Sequence, residues 1–263
     1  MSGVLEKIVE VKVGEVEALR RDAIGVRRRA EGTPVPAGFE DALARRPGIG
    51  VIAEVKRRSP SAGEIRGDAT AASVARTYGE AGAAAVSVLT DSQFFGGSLS
   101  DLESAAGVAG VPLLRKDFTI DALQVYEARS AGASAVLLIA RILDGGQLSD
   151  FVALATELEL GALVEVHDES EVEQALKAGA RIVGVNNRDL ATFTTDLGVT
   201  ERLARYVPGE MVLVGESGVQ TVQDVERLAR AGVDAVLVGE ALMRVDDPAD
   251  LIGAFSSVAR EGR

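Results

Sequence analysis

The sequence predicts an α/β protein built as a closed barrel of eight parallel strands, each followed by a helix, and three observations predict it. One phrase recurs four times along the 263 residues, as EAGAAAVSVL at 80–89, SAGASAVLLI at 130–139, KAGARIVGVN at 177–186 and RAGVDAVLVG at 230–239. Each copy joins an Ala-rich helix end, a glycine suited to the left-handed position past a helix C-terminus, and an apolar run suited to a strand buried on both faces. Four further apolar runs lie between the copies, at Val51–Val55, Leu113–Leu114, Ala162–Val166 and Met211–Val214. Spacing is the third observation: strand starts near 51, 85, 113, 135, 162, 182, 211 and 235 leave room each time for a right-handed crossover helix. An open doubly wound sheet is the alternative. The even spacing, and the chemistry at the strand ends, favour closure into a (β/α)8 TIM barrel with an N-terminal helical extension.

Taken in order, residues 1–45 precede the first strand and form that extension. Leu5, Ile8, Val9, Val16 and Leu19 fall loosely on one helical face, predicting one or two extra helices that either stabilise the barrel or cover its substrate. Residues 46–263 are the barrel, so 1–263 reads as a single domain. Helical patterns such as DALQVYEARSAG at 121–132 and TVQDVERLARAG at 221–232 fill the intervals between strands.

Composition narrows the function. Hydrophobic residues make 47% and aromatics 4%, so the core is aliphatic. Basic residues number 28 against 40 acidic ones, and the formal net charge of −12 argues against nucleic acid or an anionic membrane as partner. With no cysteine there is no disulfide framework, thiolate metal site or Cys nucleophile; with one histidine there is no two-His zinc motif. Charges run through the N-terminal segment and the apolar runs are short, so no targeting or membrane segment is expected and the location is read as cytoplasmic.

Strand alternation places polar residues where a barrel interior is normally apolar. Ile52, Glu54 and Lys56 share a face of the first strand, and Leu114, Lys116 and Phe118 a face of the third. Leu163 and Glu165 share one on the fifth, Asn186 and Arg188 are in phase after the sixth, and Val212, Val214 and Glu216 on the seventh. Each set is apolar at the strand start and polar at its C-terminal end, where barrel active sites lie. A salt-bridge network built for stability is a poor explanation, because desolvation offsets the attraction of buried ion pairs. Lysine usage points the same way. The five lysines are Lys7, Lys12, Lys56, Lys116 and Lys177, against 23 arginines. A desolvated lysine can release its proton near neutral pH and an arginine cannot. His167 is read as facing away from Glu165, a packing or loop residue.

The loops GESGV at Gly215–Val219 and GEALM at Gly239–Met243 suit a phosphate held by backbone N–H groups. The loop RRSPSAG at 57–63 adds the hydroxyls of Ser59 and Ser61, flanked by Arg57, Arg58 and Arg66. GIGVIA at 48–53 precedes a strand, so it is no dinucleotide fingerprint; there is no Walker A loop, and GESGV lacks the spacing of a nucleophile elbow. These residues alone leave open a sugar-phosphate isomerase or a non-catalytic sensor of a phosphorylated ligand.

Across the whole chain, EVKRRSPS at 54–61, SVLTDSQFFGGSLSDL at 87–102, LLRKDF at 113–118, LVEVH at 163–167, VNNRDL at 185–190, GESG at 215–218 and LVGEALMR at 237–244 resemble the indole-3-glycerol-phosphate synthase family. One departure is Ala62, at a position often basic in that family, which Arg58 or Arg66 would have to replace. The resemblance implies a lyase of tryptophan biosynthesis that closes the indole ring of 1-(2-carboxyphenylamino)-1-deoxyribulose 5-phosphate with loss of CO2 and water, using no cofactor and no metal. It implies Lys116 as general acid, Glu165 and Lys56 as the acid–base pair of dehydration, and Glu54 and Glu216 as stabilisers of positive charge on nitrogen. Arg188 and Lys56 would hold the substrate carboxylate, Asn186 would orient hydroxyls, and Phe118 would wall the aromatic ring. Ser217, Gly218, Gly239 and the backbone of Glu240 would seat the phosphate with Ser59. The only partner expected is the phosphorylated small-molecule substrate, with the chain a monomer or, alternatively, a homodimer.

Overall fold

The computed structural model describes residues 3–59, 63–65, 69–189 and 192–262, the side chain of Ser59 excepted, and its centre is a closed eight-stranded parallel barrel. The strands are β1 (Gly50–Val55), β2 (Ala85–Leu89), β3 (Leu113–Lys116), β4 (Ala135–Ile139), β5 (Gly161–Val166), β6 (Ile182–Asn186), β7 (Val212–Glu216) and β8 (Ala235–Val238). Every predicted strand is present and begins within one residue of its expected start. Neighbours in sequence are neighbours in the sheet, and β1 closes on β8 with Gly50 beside Ala235 and Ala53 beside Val238.

Six of the helices that follow the strands start where a side chain accepts a free backbone N–H. Thr70 caps α4 (Ala71–Glu80), Ser98 caps α5 (Leu99–Ala106) and Asp168 caps α8 (Glu169–Lys177). Reciprocal capping boxes open α6 (Ala122–Ser130) with Asp121 and Gln124, α7 (Gly145–Glu157) with Asp144 and Gln147, and α10 (Val222–Arg230) with Thr221 and Asp224. The repeated phrase ends four of these helices. Gly82, Gly132, Gly179 and Gly232 have φ of 80–88°, as the left-handed cap requires. Shorter helices α9 (Gly198–Leu203), α11 (Glu240–Arg244) and α12 (Ala249–Ser256) complete the outer ring.

Inward-facing Ile52, Leu114, Leu163, Ile182, Val212, Val214 and Leu237 fill the barrel, and outward-facing residues pack under the helices. Each fully buried aliphatic side chain of this size contributes about 1.5–3 kcal/mol. The N-terminal extension differs from expectation in having three helices: α1 (Gly3–Arg20), α2 (Ala23–Gly32) and α3 (Phe39–Ala44). The third is short and drives Phe39 and Leu43 into the interior cluster, sealing the end of the barrel at the strand starts. Helix α1 buries Leu5, Ile8, Lys12 and Val16 on one face. Lys12 is the unexpected member. Among the described residues no helix is long and apolar enough to cross a membrane.

Candidate active site

At the C-terminal ends of the strands, the odd-numbered strands send Glu54, Lys116, Glu165 and Glu216 inward as one layer, where a barrel ordinarily stacks aliphatic side chains. The register fixes their common height: Ile139 lies beside Glu165, Asn186 beside Glu216, and Leu89 beside Lys116. Lys56 and Arg188 stand just beyond β1 and β6 on the same phase. All of them border a cavity of about 630 Å³, within the range of small-molecule sites. The even-numbered strands contribute Leu89, Leu137, Ile139 and Leu237 to its wall. The cavity therefore has a charged floor and an aliphatic side.

Lys116 Nζ lies 3.3 Å from Glu165 Oε2 and 3.5 Å from Glu216 Oε2, and Lys56 Nζ lies 2.8 Å from Glu54 Oε1. Two glycines make this approach possible. A Cβ on Gly184 would stand 2.1 Å from Glu216 Oε1, and one on Gly239 would stand 2.5 Å from Glu54 Oε1. Burial opposes the charge on every member, so the neighbours decide. Burial acts against the Lys116 ammonium, but Glu165, Glu216 and Glu54 outweigh it and raise its pKa above the ordinary lysine value. The expectation that burial would loosen the lysine proton is thus reversed for Lys116, because three carboxylates face one ammonium. Burial likewise works against ionised Glu54 and Glu165, yet Lys56 and Lys116 hold the first, and Lys116 and His167 the second, below the usual carboxylate range. Glu216 goes the other way. Burial pushes it to about 7, Lys116 only partly offsets this, and Glu165 and Glu54 add to the rise. The layer thus holds one firm ammonium, two firm carboxylates and one carboxyl that titrates near neutrality.

The rim assembles the remaining expected residues. Phe118 meets Phe95, with ring centroids 6.0 Å apart, and Leu5 and Ile8 of α1 border the same cavity. Helix α1 therefore covers the mouth as well as bracing the barrel. After β7, Ser217 and Gly218 both take positive φ, 64° and 85°. A serine there is strained and persists only where the surroundings impose it. Asn187 does so, donating from Nδ2 to the carbonyls of Glu216 (2.9 Å) and Ser217 (3.2 Å) while Oδ1 accepts from Thr200 Oγ1 at 2.8 Å. Gly239 and Glu240 line the cavity at the start of α11, and the Glu240 carboxylate turns to Arg244 at 2.7 Å, leaving its backbone as the group toward the mouth.

Twelve of the thirteen expected site residues border this cavity; the side chain of the thirteenth, Ser59, lies outside the described residues, as do Ser61, Ala62 and Arg66. The arginines expected to flank a phosphate turn elsewhere. Arg57 Nη2 donates to Gly96 O at 2.9 Å and pairs with Asp101 at 2.6 Å, and Arg58 Nη2 donates to Gln93 O at 2.5 Å. His167 is a further correction. It stands two residues past Glu165, hence in phase with it, and its Nε2 is 3.5 Å from Glu165 Oε1. Sequence reasoning also missed Asn187 and the Lys12 cluster, in which Nζ meets Asp91 at 3.0 Å and Asp117 at 2.8 Å. Among the described residues no group of three or more His, Cys, Asp or Glu is placed to hold a metal ion.

The sequence matches the family model described as indole-3-glycerol phosphate synthase over residues 5–255. A relative so named from Polaromonas naphthalenivorans (strain CJ2) is 48% identical over 253 residues, covering 94% of this chain and 96% of its own. Another, from Desulfotalea psychrophila (strain LSv54 / DSM 12343), is 47% identical over 254 residues, covering 96% and 98%. Among solved structures, 3-hexulose-6-phosphate synthase from Salmonella typhimurium superposes with a TM-score of 0.63 at 15% identity, over 79% of this chain and 97% of that one. A mandelate oxidase mutant gives 0.62 at 18% identity, over 89% and 83%. At such identities the likeness is one of fold.

Proposed function

The chain belongs to the indole-3-glycerol phosphate synthase family, and on that premise we propose how its charged layer and rim divide the work of ring closure, decarboxylation and dehydration. The enzyme is a carboxy-lyase of tryptophan biosynthesis. It converts 1-(2-carboxyphenylamino)-1-deoxyribulose 5-phosphate into indole-3-glycerol phosphate, CO2 and water.

Ring closure forms a bond from the carboxylate-bearing aryl carbon to the ketose carbonyl carbon, and the carbonyl oxygen takes a proton. Lys116 supplies it. The observation that carries this assignment is an ammonium kept charged inside the cavity by Glu165 and Glu216 at 3.3 and 3.5 Å. A proton donor must hold its proton until the acceptor becomes basic. The closed intermediate carries positive charge at nitrogen, which the buried carboxylate Glu54 stabilises, as does Glu216 in its ionised form. The carboxylate then leaves as CO2. In dehydration a ring proton goes to Glu165 and a proton from Lys56 leaves with the hydroxyl as water. The overall reaction takes up one proton, because a carboxylate departs as neutral CO2.

Arg188 and Lys56 hold the substrate carboxylate, Asn186 orients hydroxyls, and Phe118 with Phe95 walls the aryl ring. Ser217, Gly218, Gly239 and the Glu240 backbone seat the phosphate. One chain supplies the whole charged layer and both phenylalanines, which supports a monomer as the working unit.

The protein has no tryptophan, so indole emission that rises when substrate is added comes from product alone. Stoichiometric emission with CO2 release is the expected result, and binding without emission rejects the assignment. For Arg188→Ala the expected result is mainly weaker substrate binding, with kcat changed less than KM; an unchanged Kd by titration contradicts the carboxylate-binding role.

A further inference from the structure

Glu165 has two occupied sides. Its Oε2 faces Lys116 across the cavity, and its Oε1 faces His167, two residues further along the chain. The histidine side chain is 5% exposed and is gripped from the start of α8, where Glu171 Oε2 accepts the His167 backbone N–H at 2.7 Å and lies 3.1 Å from Nδ1. Arg141, in the turn after β4, donates from Nε to Glu171 Oε1 at 2.6 Å.

This arrangement dictates the protons on the ring. A carboxylate only accepts, so Nδ1 carries a proton toward Glu171. Nε2 is buried and makes no hydrogen bond, 3.5 Å from a second carboxylate oxygen. An unprotonated Nε2 would set its lone pair against that oxygen. A protonated Nε2 supplies the missing partner. We infer that His167 is a positioning residue for the reaction: as an imidazolium spanning Glu165 and Glu171, it keeps Glu165 ionised and aims its other oxygen at Lys116.

The charges around His167 agree. Burial opposes its positive charge and Arg141 adds to that, while Glu171 from α8 and Glu165 from its own strand favour it, and the balance raises its pKa above the ordinary histidine value. Asp168 at the head of α8 pairs with Arg141 at 3.3 Å and reduces the repulsion. From β6, Asn186 gives Glu165 a neutral hydrogen bond. The kinetic consequence rests on the reading of Glu165 as the base of dehydration. Loss of the imidazolium raises the proton affinity of Glu165, so the acidic limb of kcat/KM moves to higher pH.

The chain has one histidine, so 15N-histidine labelling gives a single, self-assigned imidazole. The expected spectrum at pH 7 shows both nitrogens protonated, with a midpoint that falls by about one to three pH units in Glu165→Gln. The expected kinetics of His167→Leu are a larger loss at pH 6 than at pH 8, and His167→Gln, which restores an N–H donor without charge, recovers kcat at pH 8 but keeps the displaced limb. A neutral ring at pH 6.5, or a midpoint unmoved in Glu165→Gln, overturns the ion pair itself. A wild-type pH profile in His167→Leu overturns the positioning role. Retained turnover in Glu165→Gln overturns the reading of Glu165 as base, and the kinetic role of His167 with it, while the midpoint in that variant still reads the pair.

Discussion

Lys116→Ala is expected to lower kcat by about 10²–10⁴, the usual worth of a positioned acid, with a smaller effect on KM measured by product fluorescence. The size follows from what the alanine leaves behind. Glu54 keeps Lys56 and Glu165 keeps His167, but Glu216, which already titrates near 7 with Lys116 present, loses the cation beside it. Without the ammonium Glu216 takes up a proton and the ionised fraction of Glu165 falls, so the base is weakened at the same time as the acid disappears. Lys116→Arg separates the two contributions. A guanidinium keeps the charge that orders the carboxylates, but its planar, delocalised fork does not present a proton from the point that the ammonium occupies. It is therefore expected to fold and bind substrate while remaining slow. Near-normal kcat in either variant removes Lys116 from the acid role.

The barrel and most of this layer were readable because both obey short-range periodicities. A period of two along each strand sorted Glu54, Lys116, Glu165 and Glu216 onto the inner face, and the interior cluster places Ile52, Leu114, Leu163 and Val214 directly below them. The four repeat glycines announced their helix ends through a conformation that few other residues adopt. The residues that escaped are those whose role depends on a partner distant in sequence. Lys12 sits on the buried stripe of α1, yet a lysine at such a position ordinarily reads as solvated; only Asp91 and Asp117, brought there by β2 and β3, explain its burial. Asn187 follows a residue that faces the cavity, so it points outward, and its value lies in a loop after β7 that strand periodicity does not connect to it. Helix α3 is too short for a periodic signal, and Phe39 and Leu43 acquire meaning only as the floor of a closed barrel. His167 was within reach, since two residues from Glu165 is the same face; the signal was phase, and it was misread.

Lys12→Met is expected to destabilise the fold by about 3–5 kcal/mol, the usual cost of breaking a buried ion pair by removing one partner, read as a lower denaturation midpoint. Nζ lies within 3.0 Å of carboxylates that are fully or almost fully buried, on the loops after β2 and β3. Asp117 keeps Arg115 as a second cation at 3.4 Å, and its pKa is held below the usual range by Arg115 and Lys12 against burial. Asp91 has no second cation among the described residues; its Oδ1 accepts the backbone N–H groups of Phe94 and Phe95 at 2.7 and 3.1 Å, and its Oδ2 faces Lys12 alone. The methionine fills the lysine's volume, so the loss is electrostatic, and it falls mainly on Asp91. Adding Asp91→Asn, which removes the stranded charge, is expected to recover part of the stability. The same ion cluster fixes Phe95 and Phe118 against the mouth and anchors the helix that brings Leu5 and Ile8 to the cavity. KM is therefore expected to rise more than kcat falls. An unchanged midpoint in Lys12→Met, or no recovery on adding Asp91→Asn, shows that the charge on Lys12 is not what holds α1 and the two loops together.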